Sequence, residues 1–259
     1  MYELITYELD GKVAVIRLND PDTLNAMSTE MALELVDAAD RAEGEARAIM
    51  LSSVGRAFCS GANLTSGKLD LNSPDRDVGL ALEVAINPFL AKLKNSELPV
   101  ITAVKGAAAG VGCGLALAGD IIIAGEKAFF YQAFCHVGLT SDGGSTYLLA
   151  KSIGRVRAME VMLLGERLYA DKALDWGLIT RVVPDEDADT AALNIARKLS
   201  DGPKSLVHIK KSAWSALDTP FEDQLEVERI AQRESGRTDD FLEGVAAFKE
   251  KRPPQFNGK

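Results

Sequence analysis

Gly110, Gly112 and Gly114 fall at alternate positions where the apolar run Val100 to Val104 gives way to the helix-forming residues Leu115 to Ala118. Glycines at such a junction remove side chains, so a second backbone or a ligand can approach the exposed amides. Amides at a helix N-terminus have no partner within the helix and bear partial positive charge. They suit an oxygen that becomes negative during a reaction. The spacing is Gly-x-Gly-x-Gly, which is not the Gly-x-Gly-x-x-Gly of a dinucleotide site, and no Gly-Lys-Ser/Thr loop is present. Taken alone, the pattern also describes a helix packed tightly on a strand.

A second stretch, Arg56-Ala57-Phe58-Cys59-Ser60-Gly61-Ala62-Asn63-Leu64, follows the apolar strand Ala48 to Leu51. Together the two stretches resemble the crotonase (enoyl-CoA hydratase/isomerase) superfamily, and the likeness runs from Leu24-Asn25-Ala26 to Pro254-Gln255-Phe256-Asn257-Gly258-Lys259. The resemblance implies an α/β fold, a right-handed spiral of β-β-α turns with a C-terminal helical trimerisation region. It divides the chain into a spiral acyl-CoA-binding core over 1–200 and a helical region over 201–259. It implies that the amides of Ala62 and Val111 hold the thioester oxygen of an acyl-CoA. Leu24, Ala26, Ser60, Asn63, Leu64, Gly110 and Phe134 would line the substrate path. Lys68, Phe256 and Lys259 would meet the coenzyme, the last two often across a subunit boundary. The assembly implied is a homotrimer or a dimer of trimers. No cofactor is implied, since coenzyme A belongs to the substrate.

Two amides on a thioester oxygen acidify the neighbouring carbon, and a base must take the proton. Hydratases of the family use two glutamates, but the matching positions here are Gly114 and Phe134, and neither side chain ionises. Asp142 stands where some isomerases of the superfamily carry a catalytic aspartate. One carboxylate suffices to move a double bond, taking a proton from one carbon and returning it to another. Asp142 also precedes Gly143-Gly144-Ser145 and could cap the helix beginning near Ser145. Both roles stay open. Ser141 replaces the usual Pro, and the Gly-Gly pair is shifted. His136 reads as a core histidine rather than a base. Tyr131, Tyr147, Phe89 and Trp176 read as core or pocket wall, and Phe134 as an apolar wall in place of a carboxylate. The closest match over the C-terminal half is to the 1,2-epoxyphenylacetyl-CoA isomerases of phenylacetate breakdown, including Leu225-Glu226-x-Glu228-Arg229. An acyl-CoA isomerase leads on this evidence. An enoyl-CoA hydratase and a non-catalytic acyl-CoA- or RNA-binding relative are the alternatives.

Composition narrows the field. The chain has 259 residues, a net charge of -9 and 26% charged residues, as befits a globular protein with a real core. The acidic balance counts against nucleic-acid binding, so an anionic ligand must be met by local positive charge. Cys59, Cys113 and Cys135 lack metal-site or redox spacing and read as small buried residues in a reducing compartment. Two histidines make a histidine metal site improbable. The start of the chain has no signal-peptide pattern and no run reaches membrane-spanning length, which points to a cytoplasmic protein free of membranes.

The elements that must position these residues follow from periodicity. A hairpin is expected at Asp10-Gly11 between strands 5–9 and 13–18, then a helix capped by Ser28 and running to about Glu43. A polar segment over 65–78 reads as a mobile loop at the site mouth. A helical pattern over 80–93 is interrupted by Pro88. Short strands are expected at 121–124, 128–131 and 179–183. Helices are expected at 145–152, 155–164, 170–176, 187–199, 205–217, 221–233 and 239–249. Strand–helix units early and helices late indicate an α/β core with a helical tail.

Overall fold

The computed structural model describes residues 2–63 and 72–259. Leu64 and Lys68, and the first half of the segment expected to be mobile, lie outside the described residues.

Strands β1 (Ile5–Asp10) and β2 (Val13–Leu18) form the expected hairpin, paired antiparallel. Helix α1 (Thr29–Glu45) begins under Ser28, whose hydroxyl accepts the Met31 amide at 3.1 Å. It buries Met31, Leu35, Ala38 and Ala42 along one face. Strand β3 (Ala48–Ser53) is buried throughout. A π-turn at Leu82–Ile86 then runs straight into α2 (Asn87–Asn95), so Pro88 sits in the first turn of a continuing helix. Strands β4 (Val100–Val104) and β5 (Ala107–Ala109) lead into α3 (Val111–Leu117). This helix starts four residues earlier than its composition suggests. Gly112 and Gly114 therefore lie inside it, where close packing outweighs their poor helix propensity.

Strands β6 (Ile121–Gly125) and β7 (Phe129–Tyr131) precede α4 (Ser145–Leu164). The two segments expected there join end to end, with Gly154 at φ 77° between them. The rest comprises β8 (Arg167–Tyr169), α5 (Ala170–Asp175), β9 (Arg181–Val183) and α6 (Ala188–Ser200), then α7 (Ser205–Ser215), α8 (Phe221–Ser235) and α9 (Asp239–Glu250). Strands β5 and β8, only three residues each, carry no periodic signal of their own.

Six strands pair in the order β1-β2-β3-β4-β6-β9, parallel from β2 onward, and β5-β7-β8 form a second small sheet. Each turn of the chain lays a strand in the large sheet, another in the small one or its loop, and a helix outside, which is the expected spiral. The large sheet is covered on both faces. One face meets α1, α2 and the α3–α4 layer; on the other, Val13, Val15, Met50, Ile101 and Ile123 pack on Ala192 and Ala196 of α6. Buried parallel strands of this kind read as continuous apolar runs, as Val100 to Val104 does.

The end of α3 is locked from below. The Asp120 carboxylate accepts the Val100 amide at 2.8 Å, the Trp214 indole N–H at 2.9 Å and the Lys210 ammonium at 2.9 Å. Lys210 is buried and also donates to the carbonyls of Leu93 and Leu98, both at 2.9 Å. Burial pulls its pKa down, opposed by Asp120. Removing the cation would strand a carboxylate and two carbonyls in the interior. We expect Lys210→Ala to cost about 3 kcal/mol and lower Tm by roughly 6–10 °C. Urea unfolding that shows less than about 1 kcal/mol lost would mean that the pair is dispensable.

Candidate active site

The two glycine-bearing stretches come together because β3 and β4 run parallel and side by side, Ile49 opposite Val100 and Leu51 opposite Thr102. Beyond the sheet their continuations pair again. The Cys59 amide donates to the Ala107 carbonyl and the Ala109 amide to the Cys59 carbonyl, both at 2.9 Å. This brings Gly61 against Gly110. A Cβ built on Gly110 would lie 3.6 Å from the Gly61 Cα, and one on Gly61 3.4 Å from the Ala109 carbonyl oxygen. Both residues have positive φ, 109° at Gly61 and 51° at Gly110, so glycine is required for conformation as well as for space.

Peptide planarity then aims the two candidate amides. The Gly61 carbonyl accepts the Met27 amide at 2.7 Å, so the Ala62 N–H of the same trans peptide points the opposite way. The Gly110 carbonyl accepts the Cys113 amide at 3.0 Å within the helix, which turns the Val111 N–H outward from the N-terminus of α3. Among the described residues neither N–H donates to another group. Val111 is buried and Ala62 exposed, as floor and rim of a site would be. Phe134 is buried with its ring edge 3.6 Å from the same Gly110 Cβ position, so it packs against the second donor turn.

Asp142 opens the turn that packs on Val111. Its neighbour Gly143 abuts Val111, and a Cβ there would sit 2.9 Å from Val111 Cγ2. Gly143 and Gly144 both have positive φ, 58° and 73°, and the Ser145 amide donates to the Asp142 carbonyl at 3.0 Å, closing a tight turn. Gly144 holds the N-cap position of α4, which has no side-chain cap. The capping alternative for the Asp142 carboxylate is thus not realised, because the cap of α4 belongs to backbone. Instead Asp142 Oδ1 is buried with no hydrogen-bond partner among the described residues. Burial alone pushes the Asp142 pKa up to about 6 from 3.8.

The hydratase positions are closed or apolar. A Cβ on Gly114 would lie 1.9 Å from the Gly143 carbonyl oxygen and 3.2 Å from the buried, unpartnered Ser145 hydroxyl. No side chain fits there without moving the Asp142 turn.

Other expected residues are placed as follows. Leu24, Asn25 and Ala26 flank the first donor loop, where Ser60 donates from its amide to the Leu24 carbonyl at 3.0 Å and from its hydroxyl to the Thr23 carbonyl at 3.0 Å. Asn63 follows, its amide on the Met27 carbonyl at 2.9 Å. Phe256 and Lys259 are not brought to the site of their own chain. The Lys259 carbonyl accepts the Asp240 amide, Phe256 leans on Gly244, and Gly258 abuts the Arg47 guanidinium. Arg47 precedes β3, whose other end leads to the donor loop, roughly 17 Å along the strand. His136 is exposed and within 2.8 Å of the Gly165 carbonyl through Nε2, so it is not the core residue expected. Cys135 is likewise exposed, whereas Cys59 and Cys113 are buried and their thiols are pushed up to about 11 and 12. Tyr147 is half-buried and donates to Asp218, and Trp176 lies under the cations of Arg157 and Lys172. Sequence reasoning missed two participants. One is Gly143, whose part is steric; the other is Asn25, whose polarity in an apolar segment was the available signal.

Comparison with known proteins gives the family and the fold. The family model for enoyl-CoA hydratase/isomerase matches residues 8–259. A Rhodobacter capsulatus protein named "Probable enoyl-CoA hydratase" is 42% identical, covering 100% of this chain and 99% of its own length. The "1,2-epoxyphenylacetyl-CoA isomerase" of Escherichia coli is 41% identical, covering 100% of both. The crystal structure of an enoyl-CoA hydratase from Bacillus anthracis superimposes with a TM-score of 0.93 at 28% identity, over 99% of this chain and 100% of that one. With the family model spanning nearly the whole chain and the expected spiral matched in known structures, this chain belongs to the enoyl-CoA hydratase/isomerase family.

Proposed function

We propose that the protein is an acyl-CoA isomerase working through a thioester enolate, with enoyl-CoA or 1,2-epoxyphenylacetyl-CoA as substrate. The observation that carries this reading is the exchange of ionisable groups at the donor pair: Asp142 with a buried oxygen in the turn whose Gly143 packs on Val111, and no room for a side chain at Gly114. The Ala62 and Val111 amides receive the thioester oxygen, and Asp142 takes a proton from the adjacent carbon. The electron pair moves onto the carbonyl oxygen, where both amides stabilise it. With an enoyl-CoA, as the enolate collapses, the Asp142 carboxylic acid returns the proton to the far carbon of the conjugated system, and nothing is gained or lost. A pKa near the working pH suits a group that must both take and give a proton. The Escherichia coli relative supports the aryl epoxide as substrate and a place in phenylacetate degradation. The Rhodobacter capsulatus relative supports the hydratase alternative, in which Asp142 or a bound water would act.

Incubating the enzyme with a panel of unsaturated, epoxide and aryl acyl-CoAs in deuterated water distinguishes these. Isomerisation predicts a rearranged product of unchanged mass apart from exchange at the carbon beside the thioester. Hydration predicts a gain of one water. Asp142→Asn should reduce turnover and exchange by about 10² or more while leaving a saturated acyl-CoA bound. Normal turnover in that variant would remove Asp142 as the base.

The pH dependence has a definite sign. The ionised form is the active one, so kcat/KM should climb with pH through about 6. Its pKa is raised on folding, so the native state holds the proton more tightly between pH 3.8 and about 6 and the wild type loses stability across that window. Asp142→Asn does not share the loss and should melt a few degrees higher than wild type at pH 7, with the gain gone near pH 4. Equal melting temperatures at pH 7 would show that the unpaired carboxylate costs nothing.

We also propose the homotrimer or dimer of trimers. Phe248 is 85% exposed, and with Ile209, Phe241, Val245 and Phe256 it lines an open cavity of about 740 Å³ formed by the last three helices. A neighbouring chain there would also let Phe256 and Lys259 reach a coenzyme bound outside their own chain. A stable monomer in sedimentation at micromolar concentration would exclude this assembly.

A further inference from the structure

We infer that Asn25 is a positioning residue for the Ala62 donor, holding the first donor loop from behind; this rests on the reading of that loop as an oxyanion site. Three residues other than glycine have positive φ among those described, and two of them are adjacent, Leu24 at 59° and Asn25 at 56°. A branched side chain such as leucine rarely adopts that conformation, and backbone held there indicates surrounding structure that enforces it.

The enforcing contacts are those of the Asn25 side chain, which is 0% exposed. Its Nδ2 donates to the carbonyls of Val54 and Ala57, both at 2.9 Å, and its Oδ1 accepts the Asp20 amide at 2.8 Å. Carbonyls only accept and an amide only donates, so the partners fix which way the side chain points. The left-handed turn at 24–25 then presents backbone to the donor loop. Leu24 accepts from Ser60, Met27 donates to Gly61, and Met27 accepts from Asn63. These bonds bracket Ala62 on both sides, and the one to the Gly61 carbonyl sets the plane of the peptide that carries the Ala62 N–H. Asn25 touches both the root of the loop and the segment that grips its tip. It acts on the substrate oxygen only through that peptide plane.

Losing one oxyanion donor costs on the order of 10²–10³ in rate, and misaiming one should cost less. The test uses the full-length protein and a saturated acyl-CoA labelled with ¹³C at the thioester carbonyl, followed by difference infrared spectroscopy. In the wild type the carbonyl band should move to lower wavenumber on binding. Asn25→Asp keeps the size and the tolerance of positive φ but offers no donor to Val54 and Ala57. Asn25→Gly keeps the backbone conformation and removes all three bonds. Both should bind the saturated thioester within about three-fold of wild type while losing most of the band shift. With a turned-over substrate, kcat should fall about 10- to 100-fold with KM within about three-fold. A purely structural role would lower Tm and leave the band shift of the bound ligand intact.

Folded variants with the wild-type shift and kcat would overturn the positioning role. So would failure of both variants to fold at 25 °C, which would make Asn25 a folding residue. Absence of any shift in the wild type would remove the donor site itself and Asn25's role with it. A shift present in the wild type and kept by the variants would remove the role of Asn25 alone.

Discussion

The site depends on one backbone lying directly against another. Gly61 and Gly110 touch without side chains between them, and the Cys59–Ala108 bridge fixes how far each turn can slide past the other. A little deeper, Gly112 meets Cys59, whose Cβ and Sγ would lie 2.6 and 2.7 Å from any Cβ placed on the glycine. The separation of the Ala62 and Val111 amides is therefore set by main chain anchored in adjacent parallel strands. On the reading proposed for this site, donors fixed in this way need no reorganisation when charge develops on an oxygen between them.

The two aspartates associated with α3 sit in opposite electrostatic surroundings. Asp120, at the far end of the helix, receives two amine or indole N–H groups and a backbone amide, and its charge is absorbed into the packing of β4 and α7. Asp142, beside the near end, has a buried oxygen without a partner and a pKa raised by burial. Residue type is the same, and environment decides. A carboxylate oxygen buried without a partner among the described residues destabilises the fold, and on the reading proposed for this site the group is kept for its reactivity.

Much of this was legible in the sequence because it is written in residue types that backbone geometry requires. The Asp10-Gly11 hairpin, the Ser28 cap, the buried strand at 100–104 and the late amphipathic helices all appear within a residue or two of where the pattern placed them. Gly61 and Gly110 were legible for the same reason, whereas Asp142 was singled out through the family resemblance. Contacts made by absent side chains were not. That Gly114 is filled by the Gly143 carbonyl depends on two segments about thirty residues apart, and no local pattern encodes it. Cys135 reads as buried because the cysteines lack metal-site or redox spacing, and His136 from its apolar neighbours, but the short helical turn at 133–137 presents Phe134 inward and leaves those two at the surface. Strands as short as β5 and β8 are held by their pairing partners, and three residues cannot establish a period.

The displaced Gly-Gly pair after Asp142, a minor irregularity in the sequence, ties these observations together. Two consecutive residues at positive φ make the turn from Asp142 to Ser145 as tight as a four-residue turn can be. The turn that follows Asp142 sets Gly143 against Val111 and places the Gly143 carbonyl in the space beside Gly114. The turn that presents one carboxylate thus occupies the place where a first glutamate would have to extend. Restoring a glutamate at 114 without rebuilding 142–145 would expel the turn, and Asp142 with it. On the reading proposed for this site, single-carboxylate proton transfer and the loss of the two-glutamate arrangement are consequences of one backbone conformation.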